Sequence, residues 1–273
     1  MRSNADSSLG LEMRRFPVTK YPVNALVASV RADYEAKFGE PPGKPAGWYH
    51  TDDWHRVSYV ADLLRPGGDS LDVGVGAGQF LNVLARSGKF RSIVGIDKTT
   101  YKKYTQLEPN MSTLKGDIAN LQFEDNSFDV VTCMEVLEHL PDEVFLAGLA
   151  ELRRVCRGQL IMSVPFCEQE PISRFHVRRF EAPDILELFP DASYTLLERP
   201  RMPWIMMEER FDGTTPGTGQ DRVVTVWATT GDGDNRDTTL ARLRARARKN
   251  PTVLRATRLV RRGARRVRSR LRH

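Results

Sequence analysis

The sequence predicts an α/β fold: a doubly wound sheet of seven mostly parallel strands, closed at one edge by an antiparallel hairpin. Three observations predict it. Apolar runs of strand length alternate with helical apolar periods from about residue 70 to residue 165. The stretch "SLDVGVGAGQFLNVL" (70–84) passes from a buried strand through a glycine-rich turn into a helix. The last two expected strands have no helix between them, which is the pattern of a hairpin.

Taken in order, residues 1–20 are polar and patternless and read as an arm. "VNALVASVRADYEAKF" (23–38) carries apolar side chains at helical spacing, and "GEPPGKPAGW" breaks that helix with prolines and glycines. "DDWHRVSYVADLL" (52–64) is a second helix, with an acidic start and an exit at Pro66-Gly67. There follow strand 70–75, helix 79–87, strand "SIVGID" (92–97), a helical segment near 99–107 and a short strand "STLKGD" (112–117). Strand "FDVVTCME" (128–135), helix 142–155 and strand "GQLIMSVP" (158–165) complete the alternation. After Pro165 come a polar loop "FCEQEPISRFHVRRF", a short helix "APDILELF" and a strand "SYTLLERP". The last strand is "RVVTVWATT" (222–230), with "FDGTTPGTGQD" as the hairpin loop. "GDGDNRD" (231–237) reads as a linker. Beyond it Val253, Thr257, Val260, Ala264, Val267 and Leu271 recur at steps of four and three among arginines, a basic amphipathic helix. The expected organisation is an arm and helical lid over 1–54, a ligand-binding domain over 55–230, and the linker with its basic helix over 231–273.

With 273 residues and 40% hydrophobic content, the chain can bury one large core. No apolar run reaches the length of a membrane span, and the first residues lack a signal-peptide core. Cys133, Cys156 and Cys167 form neither a zinc pattern nor a disulfide framework, so buried, inert thiols in a reducing, cytoplasmic setting are expected. The net charge of +6 is unevenly spread. Residues 236–273 hold 15 Lys and Arg against a single acid, Asp237, which leaves the rest of the chain at −8. The basic character therefore says nothing about the ligand of the body, and a nucleic-acid partner is not expected.

The glycine turn narrows that ligand. A dinucleotide fingerprint G-x-G-x-x-G starting at Gly74 would need a third glycine where Gln79 stands. The pattern present is D-x-G-x-G-x-G, with Asp72, Gly74, Gly76 and Gly78. Asp97 ends the next strand, placed to take the hydroxyls of a ribose, and Asp117 ends the one after in "LKGDI". Acids at the ends of successive parallel strands line one crevice, and no P-loop lysine follows the glycines. A ligand carrying cationic groups and a ribose fits better than a pyrophosphate.

Four blocks, "LDVGVGAGQF", "VGIDKT", "LKGDIANLQFEDNSFDVVTCMEVLEHLPD" and "RVCRGQLIMSVP", resemble in order and spacing the class I S-adenosylmethionine-dependent methyltransferases of the type 11 and ubiquinone O-methyltransferase-like kind. The resemblance spans roughly residues 55–165, weakens towards 230, and implies a Rossmann-like sheet. It implies that Asp72 and Gly74–Gly78 face the methionine moiety, and that Asp97, with Lys98 beside it, holds the ribose. Asp117 and Ile118 would flank the adenine, and Met134 or Glu135 would cover the far side.

Transfer to a hydroxyl needs a base, or a metal that lowers the hydroxyl's pKa. The histidine candidates are His50, His55, His139 and His176. In "CMEVLEHLPD", Glu135, Glu138 and His139 stand at i, i+3 and i+4, so a helical turn there would put them on one face as ligands for Mg²⁺ or Mn²⁺. The resemblance adds to this, since the ubiquinone-type enzymes associate E-x-x-E-H with a metal. The other reading is a family turn without metal, with His139 as cap or base. His176 in "SRFHVRRF" is a candidate base or acceptor contact, with Arg174, Arg178 and Arg179 beside it as candidate holders of an acceptor carboxylate or phosphate. Trp48, Tyr49 and Trp54 offer flat surface for a sugar or aromatic ring.

The expected reaction is O-methylation of a small hydroxylated acceptor, with a sugar or oligosaccharide ahead of a quinone, phenol or lipid precursor, and RNA last. A non-catalytic S-adenosylmethionine-binding regulator and a nicotinamide oxidoreductase are the readings from other classes. The basic helix is a candidate contact for an anionic membrane, an acidic partner or another subunit of a homo-oligomer.

Overall fold

The computed structural model of the chain describes residues 22–39, 51–102, 104–197 and 203–213. The expected arm, Trp48, Tyr49 and His50 of the expected lid, the strand over 222–230, the linker and the basic helix lie outside the described residues.

Strands β1 (Asp69–Val73), β2 (Ser92–Asp97), β3 (Met111–Lys115), β4 (Phe128–Met134), β5 (Cys156–Pro165), β6 (Ser193–Leu197) and β7 (Trp204–Arg210) form one sheet in the order β3-β2-β1-β4-β5-β7-β6. The pairs among β1 to β5 are parallel, and β7 runs antiparallel between β5 and β6. This is the Rossmann-like, mostly parallel sheet that the sequence predicts, antiparallel edge hairpin included. The hairpin partner differs: "WIMMEER" forms β7, where the sequence placed the start of a connection. Flanked on both sides by strands, β7 buries Trp204 to Met207 as a continuous apolar run, so it lacks the alternation that marks a half-exposed strand.

Helices α1 (Ala25–Phe38), α2 (Thr51–Leu63) and α3 (Gln79–Arg86) cover one face of the sheet, and α4 (Asp142–Val155) and α5 (Ala182–Leu188) cover the other. Alternate strand residues serve the two cores: Leu160, Met162 and Val164 point to the α4 side and Ile161 to the α3 side. Helix α1 starts at Asn24, whose side chain accepts the Val27 amide at 2.9 Å. It is stitched to the turn after β1 by Tyr34, whose hydroxyl donates to the Ala77 carbonyl at 2.8 Å. The described parts of the expected lid therefore form a layer of the domain, with Trp54 only 1% exposed.

The helical segment expected near 99–107 does not form; the described residues there are extended or turned. Its amides are drawn to other parts of the chain. Thr105 donates to the Ala77 carbonyl at 3.3 Å and Leu107 to the Asn82 side chain at 2.7 Å. Tertiary hydrogen bonds outweigh a modest local propensity here. Among the described residues, no helix is long and apolar enough to cross a membrane.

Candidate active site

The turn between β1 and α3 sits at the carboxyl edge of the sheet, where the strand order reverses between β1 and β4. Gly74, Gly76 and Gly78 all have left-handed backbones, with φ of +91°, +57° and +88°. Two of them differ in surroundings. A Cβ on Gly74 would lie 2.2 Å from Cγ2 of Val136, whereas a Cβ on Gly76 would meet no atom within 4 Å. Gly74 thus packs the turn against the segment that leaves β4, and Gly76 faces open space. That space is an open cleft lined by Gly76, Asp97, Thr99, Tyr101, Tyr104 and the half-exposed Leu114, among others.

Asp97 reaches this cleft and braces it. Its carboxylate accepts the Gly76 amide at 2.9 Å and the Thr99 amide at 3.0 Å. Asp72 lies beneath the turn, 3% exposed, accepting the Thr132 hydroxyl at 2.8 Å. Burial pushes its pKa up to about 7, against the opposing effect of the Thr132 hydrogen bond. Lys98 and Asp117 are exposed, Ile118 and Met134 buried, and none of the four is in this cleft's wall. Asp117 instead accepts the Ala119 amide at 2.9 Å, holding the turn after β3.

The second half of the site follows β4. Glu135 adopts a left-handed backbone, φ +56°, and this turns its side chain towards β5 and β7. Its carboxylate accepts the Ser163 hydroxyl at 2.8 Å and the Trp204 indole N–H at 2.7 Å, with the Arg56 guanidinium 3.6 Å away. The segment then makes a 3-10 turn at Leu137–His139. The shared face of Glu135, Glu138 and His139 needs a continuous α-helix from Glu135, and the backbone breaks before it.

The loop over 166–180 brings a different third member. Ligand atoms of Glu138, His139 and His176 lie within 4.8 Å of one another. Nδ1 of His139 lies 2.9 Å from the Phe175 carbonyl, and Nδ1 of His176 lies 2.6 Å from Oε2 of Glu168. Each acceptor favours a proton on Nδ1, which in the neutral imidazole leaves the lone pair on Nε2. Glu168 is fixed in turn by the Ser173 amide at 2.9 Å. Glu138 is 1% exposed, and its Oε2 is buried without a hydrogen-bond partner. Burial, reinforced by the neighbouring Glu135 charge, drives its pKa well above the usual carboxylate range. A buried, unpaired carboxylate oxygen beside two imidazoles is compensated by a proton or a cation. The expected anion-holding role of Arg178 meets a different geometry: it is buried, donating to the Leu140 carbonyl at 2.7 Å and to Asp142 at 3.0 Å.

Residues 71–162 match the Methyltransf_11 family, described as a methyltransferase domain. The chain carries a class I S-adenosylmethionine-dependent methyltransferase domain. A probable S-adenosylmethionine-dependent methyltransferase of Mycobacterium tuberculosis is 30% identical over 134 residues, 46% of this chain and 48% of the relative. The 2-methyl-6-phytyl-1,4-hydroquinone methyltransferase of Synechocystis is 33% identical over 137 residues, 49% of this chain and 42% of the relative. The demethylmenaquinone methyltransferase of Beutenbergia cavernae is 31% identical over 138 residues, 48% of this chain and 56% of the relative. The chain thus spans about half the length of these curated relatives.

Several residues that shape the site of this methyltransferase domain escape a reading of its sequence. Glu168 stands eight positions before His176 in the same polar loop, and that proximity was a usable signal. Arg56 and Trp204 come from α2 and β7, and nothing in the order of residues pairs them with Glu135. The same holds for Tyr34 and Asn82, whose side chains are 3.0 Å apart and tie α1 to α3 behind the glycine turn.

Proposed function

We propose that this chain transfers a methyl group from S-adenosylmethionine to a hydroxyl of a hydroquinone- or phenol-class acceptor. The contact between the two half-sites carries the reading. Because Gly74 packs on Val136, the glycine turn abuts the segment that leads from β4 to Glu138 and His139, beside the β1/β4 switch point. The open position at Gly76 and the Asp97 carboxylate suit the cofactor, the first as a cradle that a Cβ would fill and the second as an acceptor for ribose hydroxyls. When bound, the cofactor supplies an electrophilic methyl on sulfur, and alignment with the acceptor is the main task left to the protein.

Nε2 of His139 and of His176 are the groups available to take the acceptor's proton, with Glu168 and the Phe175 carbonyl holding the rings in the required tautomer. A phenolic hydroxyl, with a pKa of about 10, is within reach of an imidazole base, and an aliphatic hydroxyl is a far weaker acid. The printed names of two relatives, a hydroquinone and a demethylmenaquinone methyltransferase, support that acceptor class. Of the flat surface expected for a sugar, Trp54 is 1% exposed and presents no stacking face, while Trp48 and Tyr49 lie outside the described residues. With a divalent cation held by Glu138, His139 and His176, in place of the set built on Glu135, the same Nε2 atoms would serve as ligands and no longer as bases. Such a cation would lower the acceptor hydroxyl's pKa, and two imidazoles with one carboxylate favour Mn²⁺ or a later first-row ion over Mg²⁺.

The test is labelled methyl transfer from S-adenosylmethionine by the full chain to matched panels of hydroquinones and oligosaccharides, before and after EDTA. Methyl ethers are expected on the hydroquinone panel, lost in His176→Ala while cofactor affinity is kept. Methylation confined to the sugars would overturn the acceptor class. Mn²⁺ titration followed by electron paramagnetic resonance should show one site that Glu138→Gln weakens. Absence of that site, with activity unaffected by EDTA, would remove the cation.

A further inference from the structure

We infer that the loop over 174–179 is a bilayer-contact edge that docks the domain on an anionic membrane surface beside the candidate site. Phe175 and Val177 are large apolar side chains left 63% and 59% exposed. They flank His176, whose side chain is 9% exposed, and Arg178 beyond it is buried again. The chain here alternates as a strand does, apolar groups outward and site groups inward.

The backbone that presents this pair is braced. The His176 amide donates to the Ser173 carbonyl at 2.9 Å, and the Val177 amide donates to the Glu138 carbonyl at 2.9 Å. Arg178 pins the following turn through Leu140 and Asp142. An apolar pair held outward by such a frame marks an interaction surface. The guanidinium of Arg174 lies 4.6 Å from the Phe175 ring centroid, and Arg179 follows, 35% exposed and paired with Glu181 at 2.9 Å. The exposed acid on this loop, Glu170, accepts the Ile172 amide at 3.2 Å. Aromatic, aliphatic and arginine side chains together suit the boundary between acyl chains and phosphates.

Charge selects the occupant. Residues 236–273, outside the described residues, carry 15 Lys and Arg against one acid, and the rest of the chain stands at −8. A segment so basic is drawn to an anionic bilayer. Self-association, in which this segment would meet the −8 body of a second copy, is the competing outcome, read by dependence on protein concentration in the absence of lipid. With the domain docked, an acceptor with a long apolar chain would reach His139 and His176 from the bilayer. That consequence rests on the proposed function; the docking does not.

The experiment uses full-length Phe175→Trp protein with vesicles of phosphatidylcholine alone or mixed with phosphatidylglycerol, some bearing brominated acyl chains. Fluorescence is read as the difference from the unsubstituted chain. The expected result is binding to the phosphatidylglycerol vesicles, with a blue shift and bromine quenching at position 175. Phe175→Ser/Val177→Ser should bind those vesicles at least tenfold more weakly while keeping wild-type S-adenosylmethionine affinity. Vesicle binding without quenching at position 175 would overturn the proposal, since the basic segment alone would then dock the chain. No vesicle binding would overturn it too, as would a blue shift that follows protein concentration in the absence of lipid. Methyl transfer to a soluble hydroquinone, measured in parallel, separates failure of the docking from failure of the activity.

Discussion

Gly74 and Gly76 are two positions apart, both left-handed, and should fail in different ways when each is replaced by alanine. A left-handed backbone costs alanine about 1–2 kcal/mol at either site. At Gly76 that is the whole structural cost, because the new Cβ meets nothing within 4 Å. At Gly74 the Cβ would sit 2.2 Å from Cγ2 of Val136, an overlap that adds about 1–3 kcal/mol of overpacking. Gly74→Ala should therefore lose about 2–5 kcal/mol against about 1–2 for Gly76→Ala. In a domain of this size each kcal/mol is worth about 2–4 °C in Tm. Binding should rank the other way. The Gly76 methyl enters the cleft, so S-adenosylmethionine affinity should fall at least tenfold, about 1.4 kcal/mol. The folded fraction of Gly74→Ala should bind within a few-fold of wild type, and Val136→Ala in that background should recover the steric share of the lost stability. Urea unfolding gives the first ranking and calorimetric titration with the cofactor the second. Wild-type affinity in Gly76→Ala would refute the placement of the ligand over this turn. Equal destabilisation by the two alanines would refute the packing of Gly74 on Val136.

At the opposite edge of the sheet, the Asp129 carboxylate accepts the Gly68 and Asp69 amides at 2.6 and 2.9 Å and both arms of Arg157 at 2.6 and 2.7 Å. The Arg157 hydrogen bonds, chiefly, hold its pKa well below the usual carboxylate range, so its stabilisation is complete above the unfolded value of about 4 and is lost as pH falls below it. Asp129→Asn should cost about 1.5–3 kcal/mol at pH 7 and flatten the acid limb of a plot of urea midpoint against pH. Asp72 works with the opposite sign: its pKa is raised to about 7, so the folded state holds a proton that the unfolded chain has released, and stability falls as pH rises from about 4 to about 7. Asp72→Asn should remove that slope, and an unchanged slope would place the carboxyl in water. Cys133 and Cys156 are buried, and burial lifts the Cys156 thiol to about 12 and that of the partly buried Cys167 to about 11. Iodoacetamide at neutral pH should leave all three unmodified in the native chain and label all three in urea; rapid native labelling at Cys133 or Cys156 would contradict the packing of β4 and β5.

Local pattern carried most of the fold and the meeting of the glycine turn with Asp97 at the carboxyl edge of the sheet. The alternation of strand and helix periods, the glycines at 74, 76 and 78, and Asp97 at the end of β2 are properties of short stretches whose geometry neighbouring residues dictate. Where the surroundings decide, local pattern was silent or misleading. The segment near 99–107 has helical spacing, yet its amides bond to Ala77 and Asn82. The run at 204–207 hides a central strand because both its faces are covered. The spacing of Glu135, Glu138 and His139 presumes a helix that the left-handed backbone at Glu135 interrupts, and the cluster is completed by His176 from a loop beyond β5. The sequence by itself determined a doubly wound sheet with a glycine-rich ligand turn, because strand period, helix period and left-handed glycine are consequences of covalent geometry. Only the tertiary structure decided which titratable groups share a crevice, because contacts between residues far apart in the chain are set by how the two cores close and by where buried carboxylates find their partners.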